Sequence, residues 1–222
     1  MLKEKPTDSN LVRFGEGFTD HMITIDWSSQ GGWKHPEILP YGPIELQTSA
    51  TALHYGMSAY MSLGVYENAK TSKIQSFRTM ELLDHFLEST THLDMPAFDT
   101  QELCNTIQKF ALLEKGWLDG NGLTDHLFLR MNHFSTDKTL GVRSPAETKI
   151  IVIATPVVEK KGKKQFSLKC STDVKKNWPL GHGKFRISGN FGPILPTITD
   201  ARDNGFDDVL WLLDDYVKEM SN

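Results

Sequence analysis

The stretch Gly183-Lys184-Phe185-Arg186-Ile187-Ser188-Gly189-Asn190-Phe191-Gly192 decides how this chain is read. Its centre is Arg186. A guanidinium stays charged at any biological pH and cannot act as an amine nucleophile. The nearest amine is Lys184, two residues earlier. In extended chain an offset of two keeps the same face but moves the amine by about 6–7 Å. Downstream, residues 191–203 read as a helix that Asn204-Gly205 stops. Pro193 fits the first turn, whereas Pro196 lies deeper and would strain or delay the helix. Residues 208–213 then read as a strand. Upstream, residues 166–171 are another strand. Before them, residues 158–165 are Lys-rich with one Gly, the composition of a solvated interdomain loop. No aromatic residues interleave with those lysines, so they do not read as a nucleic-acid patch.

Working outward to the N-terminal side, residues 1–17 are polar and read as an extended arm. Residues 21–27 alternate, with Ile23, Ile25 and Trp27 on one face of a strand. Gly31-Gly32 turns the chain. Residues 52–63 carry Leu53, Met57, Tyr60 and Met61 at helical spacing. Residues 74–77 form a short strand, and 80–87 place Leu83, Phe86 and Leu87 on one helical stripe. Asp99 is positioned to cap the next helix, with Glu102 three residues on. That helix shows Leu103, Ile107, Phe110 and Ala111 on one face and ends near Gly116. Residues 126–134 and 149–154 are strands, the second a near-continuous apolar run suited to a buried sheet.

At 222 residues the chain holds one large domain, or one domain and part of another. A hydrophobic content of 39% and a charged content of 23% are ordinary for a globular protein. A net charge of −4 gives no reason to invoke nucleic acid. Apolar runs are too short to span a bilayer, and the first twenty residues show no secretory pattern. Cys104 and Cys170 read as free thiols of an intracellular, reducing compartment. The eight histidines show no metal-ligand spacing, so no metal is expected.

The Gly183–Gly192 segment resembles the cofactor-lysine region of the branched-chain amino acid aminotransferases, which use pyridoxal phosphate (PLP) on fold type IV. Further segments occur in the family's order: Phe18-Thr19-Asp20-His21-Met22, Asp26-Trp27-Ser28-Ser29, Ala52-Leu53-His54-Tyr55-Gly56, Leu140-Gly141-Val142-Arg143-Ser144-Pro145, and Asp203-Asn204-Gly205 before Val209-Leu210-Trp211-Leu212. The fold implied is α+β (α/β), a class IV aminotransferase-like small N-terminal domain plus the beginning of a truncated second domain. The expected boundaries are 1–157, with the arm at 1–17, an interdomain loop at 158–165, and a remnant of the PLP-binding domain at 166–222.

The resemblance also assigns roles. Arg186 stands where the family has its Schiff-base lysine. His85, after Asp84, stands at the phosphate arginine, and lacks the fork and the fixed charge of a guanidinium. Phe191 stands at the tyrosine that bonds the ring oxygen and has no hydroxyl. Glu219 matches the glutamate that pairs with the pyridine nitrogen. Tyr55, Tyr60, Phe128 and Arg130 match the side-chain pocket of the substrate. With these replacements the chain is expected to be a pseudoenzyme without PLP, serving as a structural or accessory subunit of a larger assembly. A transaminase completed by another chain and an amino- or keto-acid sensor are the alternatives. Leu195, Ile198, Val209, Trp211 and Leu213 are expected to face water unless another subunit, in a homo- or hetero-oligomer, covers 191–222. The family occurs in cytosol and mitochondria, and either compartment fits.

Overall fold

The computed structural model describes residues 2–5, 12–68, 70–118, 124–158 and 165–220. The chain divides into two compact units, residues 1–159 and 160–222. Most of the loop expected over 158–165 lies outside the described residues.

The first unit is a seven-stranded antiparallel sheet with two helices on one face. Its strands are β1 (His21–Ser28), β2 (Gly32–Trp33), β3 (Glu37–Pro40), β4 (Ser58–Glu67), β5 (Ile74–Ser76), β6 (His126–Ser135) and β7 (Glu147–Val157). The order is β2-β1-β7-β6-β4-β5, with β3 also pairing with β1. A single-turn helix α1 (Thr51–Tyr55) precedes β4, and the two covering helices are α2 (Thr79–His92) and α3 (Thr100–Leu113). Sheet and helices meet in one apolar core. Ile23 and Ile25, Met61 and Leu63, Leu129 and Met131, and Ile150 and Val152 face Leu83, Phe86, Ile107 and Phe110. Alternation along β4, β6 and β7 supplies this face because successive side chains of a strand point to opposite sides.

α3 begins as the sequence predicts. Asp99 is extended, and its carboxylate accepts from the Glu102 N–H at 2.9 Å. Leu103, Ile107, Phe110 and Ala111 form its buried stripe.

The helix expected over 52–63 is a correction. α1 stops at Tyr55, because Gly56 takes the left-handed conformation (φ 62°) that ends a helix. From Ser58 the chain is a strand, in which Ala59, Met61, Leu63 and Val65 are buried at a period of two. β1 also departs from a strand with one apolar face. Met22 and Thr24 are buried as well as Ile23 and Ile25. β1 has β7 along one side and β2 and β3 along the other, so it is an interior strand.

The second unit contains β8 (Leu168–Ser171), two 3₁₀ turns (Ser188–Asn190 and Gly192–Ile194), α4 (Leu195–Asp203), β9 (Asp208–Leu213) and β10 (Tyr216–Met220). β8 and β9 are parallel, and β9 and β10 form an antiparallel hairpin. Parallel neighbours need a long crossover, and α4 lies in it. The helix expected from residue 191 is delayed to Leu195, and neither proline strains it. Pro193 falls in a 3₁₀ turn and Pro196 in the first turn of α4, where a missing N–H removes no helical bond. Gly205 (φ 81°) closes the helix.

The expectation that this unit exposes its apolar residues is also corrected. Ile194, Ile198, Ala201, Val209 and Trp211 form a core of their own, with Phe191 and Phe206 packed against it. Trp211 is 0% exposed. A parallel strand pair covered by α4 gives these side chains each other to bury against. Leu213 is half-buried. Leu195, 55% exposed, does face solvent, as do Tyr216, Val217 and Met220 on β10.

Candidate functional site

The residues singled out from the sequence fall into both units. In the first unit, Tyr60, Phe128 and Arg130 come together. Residues Met61, Leu127, Leu129 and Met131 face the helices, so their neighbours Tyr60, Phe128 and Arg130 take the opposite face of the sheet. The Arg130 guanidinium lies 4.6 Å from the Tyr60 ring centroid and 5.8 Å from that of Phe128. Phe14 of the arm packs edge-on to Phe128 at 5.0 Å. Tyr55 is placed differently. It ends α1, and its hydroxyl donates to the Leu140 carbonyl at 2.6 Å, which ties α1 to the loop before β7. His85 is half-buried in the middle of α2.

In the second unit, Arg186 is exposed in the loop before the first 3₁₀ turn. Asn190 shapes that loop. Its amide nitrogen donates to the carbonyls of His182 and Phe185, both at 3.2 Å. Phe191 and Glu219 are brought together by Lys176, a residue that no motif marks. Lys176 Nζ lies 2.6 Å from Glu219 Oε1 and 5.1 Å from the Phe191 ring centroid. Its side chain is only 6% exposed. Asn177 Nδ2 donates to Glu219 Oε2 at 2.6 Å. Both carboxylate oxygens of Glu219 thus have donors from one dipeptide.

Local structure explains the arrangement. The pairing of β10 with β9 shifts register between Val217 and Glu219, the mark of a bulge at Lys218. The shift sets Glu219 opposite the buried Trp211. On the other side, Asn177 packs onto Gly183 so closely that a Cβ there would lie 1.4 Å from Asn177 Oδ1. The carboxylate fixes the amide orientation, because flipping it would point Oδ1 at Glu219.

A groove of about 520 Å³ also opens in the first unit, lined by Ile25, Trp33, Phe98, Glu102 and Ile150 among others. Tyr55, Tyr60, His85, Phe128 and Arg130, the candidate site residues of this unit, are not among its lining. Behind its wall His133 is fully buried, 5.4 Å from Trp33 ring to ring, with Nε2 on Thr148 Oγ1 at 2.9 Å. Burial drives its pKa down to about 3, so the imidazole is neutral. Among the described residues, no group of three or more His, Cys, Asp or Glu is placed to hold a metal. No helix there is long and apolar enough to cross a membrane.

Comparison with known proteins matches this chain along nearly its whole length. It is 32% identical over 220 residues to a branched-chain-amino-acid aminotransferase of Dictyostelium discoideum, covering 98% of this chain and 57% of that one. It is 33% identical over 215 residues to the cytosolic enzyme of Mus musculus, covering 96% and 55%. The chain is a relative of the branched-chain aminotransferases. Solved structures of that family agree on the fold. The Escherichia coli enzyme superposes with a TM-score of 0.68 at 20% identity, over 90% of this chain and 61% of that one. A Thermobaculum terrenum branched-chain aminotransferase in its PLP form gives 0.70 at 14% identity, over 91% and 62%. No family model matches the chain. This relative of the branched-chain aminotransferases spans just over half the length of the curated proteins it matches.

Proposed function

We propose that this chain is a non-catalytic member of the aminotransferase lineage, acting as an accessory subunit through protein contacts. The observation that carries the reading is Arg186, which stands where the resemblance places an amine nucleophile. The rest of the donor set points the same way. PLP chemistry asks a protein for an amine, phosphate donors, a donor to the ring oxygen and a carboxylate at the ring nitrogen. At those positions this chain has Arg186, His85, Phe191 and Glu219. An imidazole, a ring without hydroxyl and a carboxylate already held by Lys176 and Asn177 do not fit the group. The pocket residues Tyr60, Phe128 and Arg130 then serve as packing and cation–π contacts. The surface for a partner is β10, an edge strand carrying the exposed side chains of Tyr216 (72%), Val217 and Met220.

The test is direct. Purified protein, free of host aminotransferase, should show no transamination of leucine, isoleucine or valine with 2-oxoglutarate. Mixed with PLP and borohydride, it should carry no reduced adduct within residues 184–191. Restoring lysine by Arg186→Lys alone should leave activity at background, since His85 and Phe191 remain. Turnover by the wild-type chain would overturn the reading.

One set of observations supports a second reading, a transaminase completed by another chain. Glu219, Tyr60 and Arg130 keep the residue types expected of the family, and the matched relatives are longer. Under it, turnover appears only when a second chain is added. Mitochondrial and cytosolic relatives both occur, and a mitochondrial or cytosolic site belongs to either reading.

A further inference from the structure

We propose that Lys176 is a resident counter-cation for Glu219, and that it bars a protonated pyridine from that carboxylate. The inference rests on the non-catalytic reading above and gives it a cause within the second unit. A carboxylate recruits a pyridinium through its negative charge. Here that charge is met at 2.6 Å by the Lys176 ammonium, and the second oxygen at 2.6 Å by the Asn177 amide. A ring N–H arriving at Glu219 would stand beside a like charge in a partly desolvated place, which disfavours its protonated form.

Lys176 has no easy retreat. Its side chain is 6% exposed, so it is shielded from solvent, and its ammonium lies near the Phe191 ring. A buried ammonium needs a counter-charge, and Glu219 supplies it. Asn177 is fixed in turn by Glu219 on one side and by Gly183 on the other. The four residues therefore hold one another: Lys176 and Asn177 seat Glu219, Gly183 makes room for Asn177, and Glu219 anchors β10. The same network makes the pair a clamp between β10 and the loop after β8.

The full chain is tested with pyridoxamine 5′-phosphate, which binds without a Schiff base and so does not depend on position 186. Binding is read by calorimetry, and amide hydrogen exchange over residues 208–220 reads the clamp. Lys176→Met keeps the apolar stem and removes the charge, and should bind the probe at least about tenfold tighter than wild type. Glu219→Gln leaves the lysine unpaired, and should speed exchange of β10 amides at least about tenfold. The double variant Lys176→Met/Glu219→Gln should recover most of the protection. If Lys176→Met unfolds the second unit, Lys176→Gln, which keeps a donor to Glu219, carries the same expectation for binding. Tighter binding by wild type than by either Lys176 variant would overturn the proposal and make Lys176 a positioning residue for the ring. Equal binding by folded variants and wild type would overturn it as well, as would β10 exchange unchanged by Glu219→Gln. Leucine turnover by the wild type would defeat the non-catalytic reading on its own, without regard to the ratio between variants.

Discussion

At the scale of single residues, the buried imidazole of His133 makes this protein sensitive to acid. Its folded-state pKa of about 3 lies below the ordinary value near 6.5, and burial is the cause. Between those two values the unfolded chain binds a proton that the folded chain refuses. Stability therefore rises with pH across that window and falls as pH drops through it, by about 1.4 kcal/mol per pH unit for this group alone. Above about pH 6.5 the group contributes no slope. Urea midpoints measured from pH 4 to 7 should show this dependence, and His133→Gln should flatten it. Asp20 works in the same direction at lower pH. Burial pushes its carboxyl up, but the Lys3 backbone N–H, the Trp117 indole N–H and the charges of His21 and Lys3 outweigh that and hold it below its usual value. Neither environment is visible in sequence, because the groups that create it come from distant positions. The same holds for Lys176 and Asn177. They lie 43 and 42 residues from Glu219, and no local pattern marks them as its partners. Glu219, Phe191 and Arg186 were singled out through motif order alone.

Elements were legible where one local device fixes them. The Asp99 cap is such a device: extended backbone, a short carboxylate and Glu102 at the third position. Asp99→Ala should cost about 1 kcal/mol in a urea titration, with the slope of the transition unchanged. A cost near zero would mean that water or another side chain takes over the cap. Elements were misread where two periods coexist. Leu53, Met57, Tyr60 and Met61 match a helix, whereas Ala59, Met61, Leu63 and Val65 match a strand, and Met61 serves both. The arbiter was Gly56, whose φ of 62° few other residues accept. Gly56→Ala should destabilise the chain by about 1 kcal/mol. It should loosen the link between Tyr55 and Leu140 before it touches the core of β4, which a tyrosine-specific fluorescence or NMR signal would separate from global unfolding.

At the scale of the whole molecule, the two units have separate apolar cores, so damage to one core should be felt mainly in its own unit. The larger core joins sheet and helices through more than twenty buried residues. The smaller gathers around Trp211, with Ile194, Ile198, Ala201 and Val209. So few side chains leave little redundancy. Truncating a fully buried aromatic costs about 3–5 kcal/mol, which is most of the stability that a unit of this size can hold. Trp211→Ala should therefore open the second unit. Amide exchange over β8, β9 and α4 should become fast, and the exposed apolar surface should bind a hydrophobic dye. Strands β6 and β7 should keep their protection, since their side chains bury against α2 and α3 in the larger core. In the wild type the order is also set by burial. β10, with Tyr216, Val217 and Met220 exposed, should exchange faster than β9, where Val209 and Trp211 are fully buried. A partner on the β10 edge would reverse that order, slowing β10 without changing β6 or β7. Uniform loss of protection across both units in Trp211→Ala would show instead that the chain unfolds as one cooperative body, and that the smaller core is not an independent source of stability.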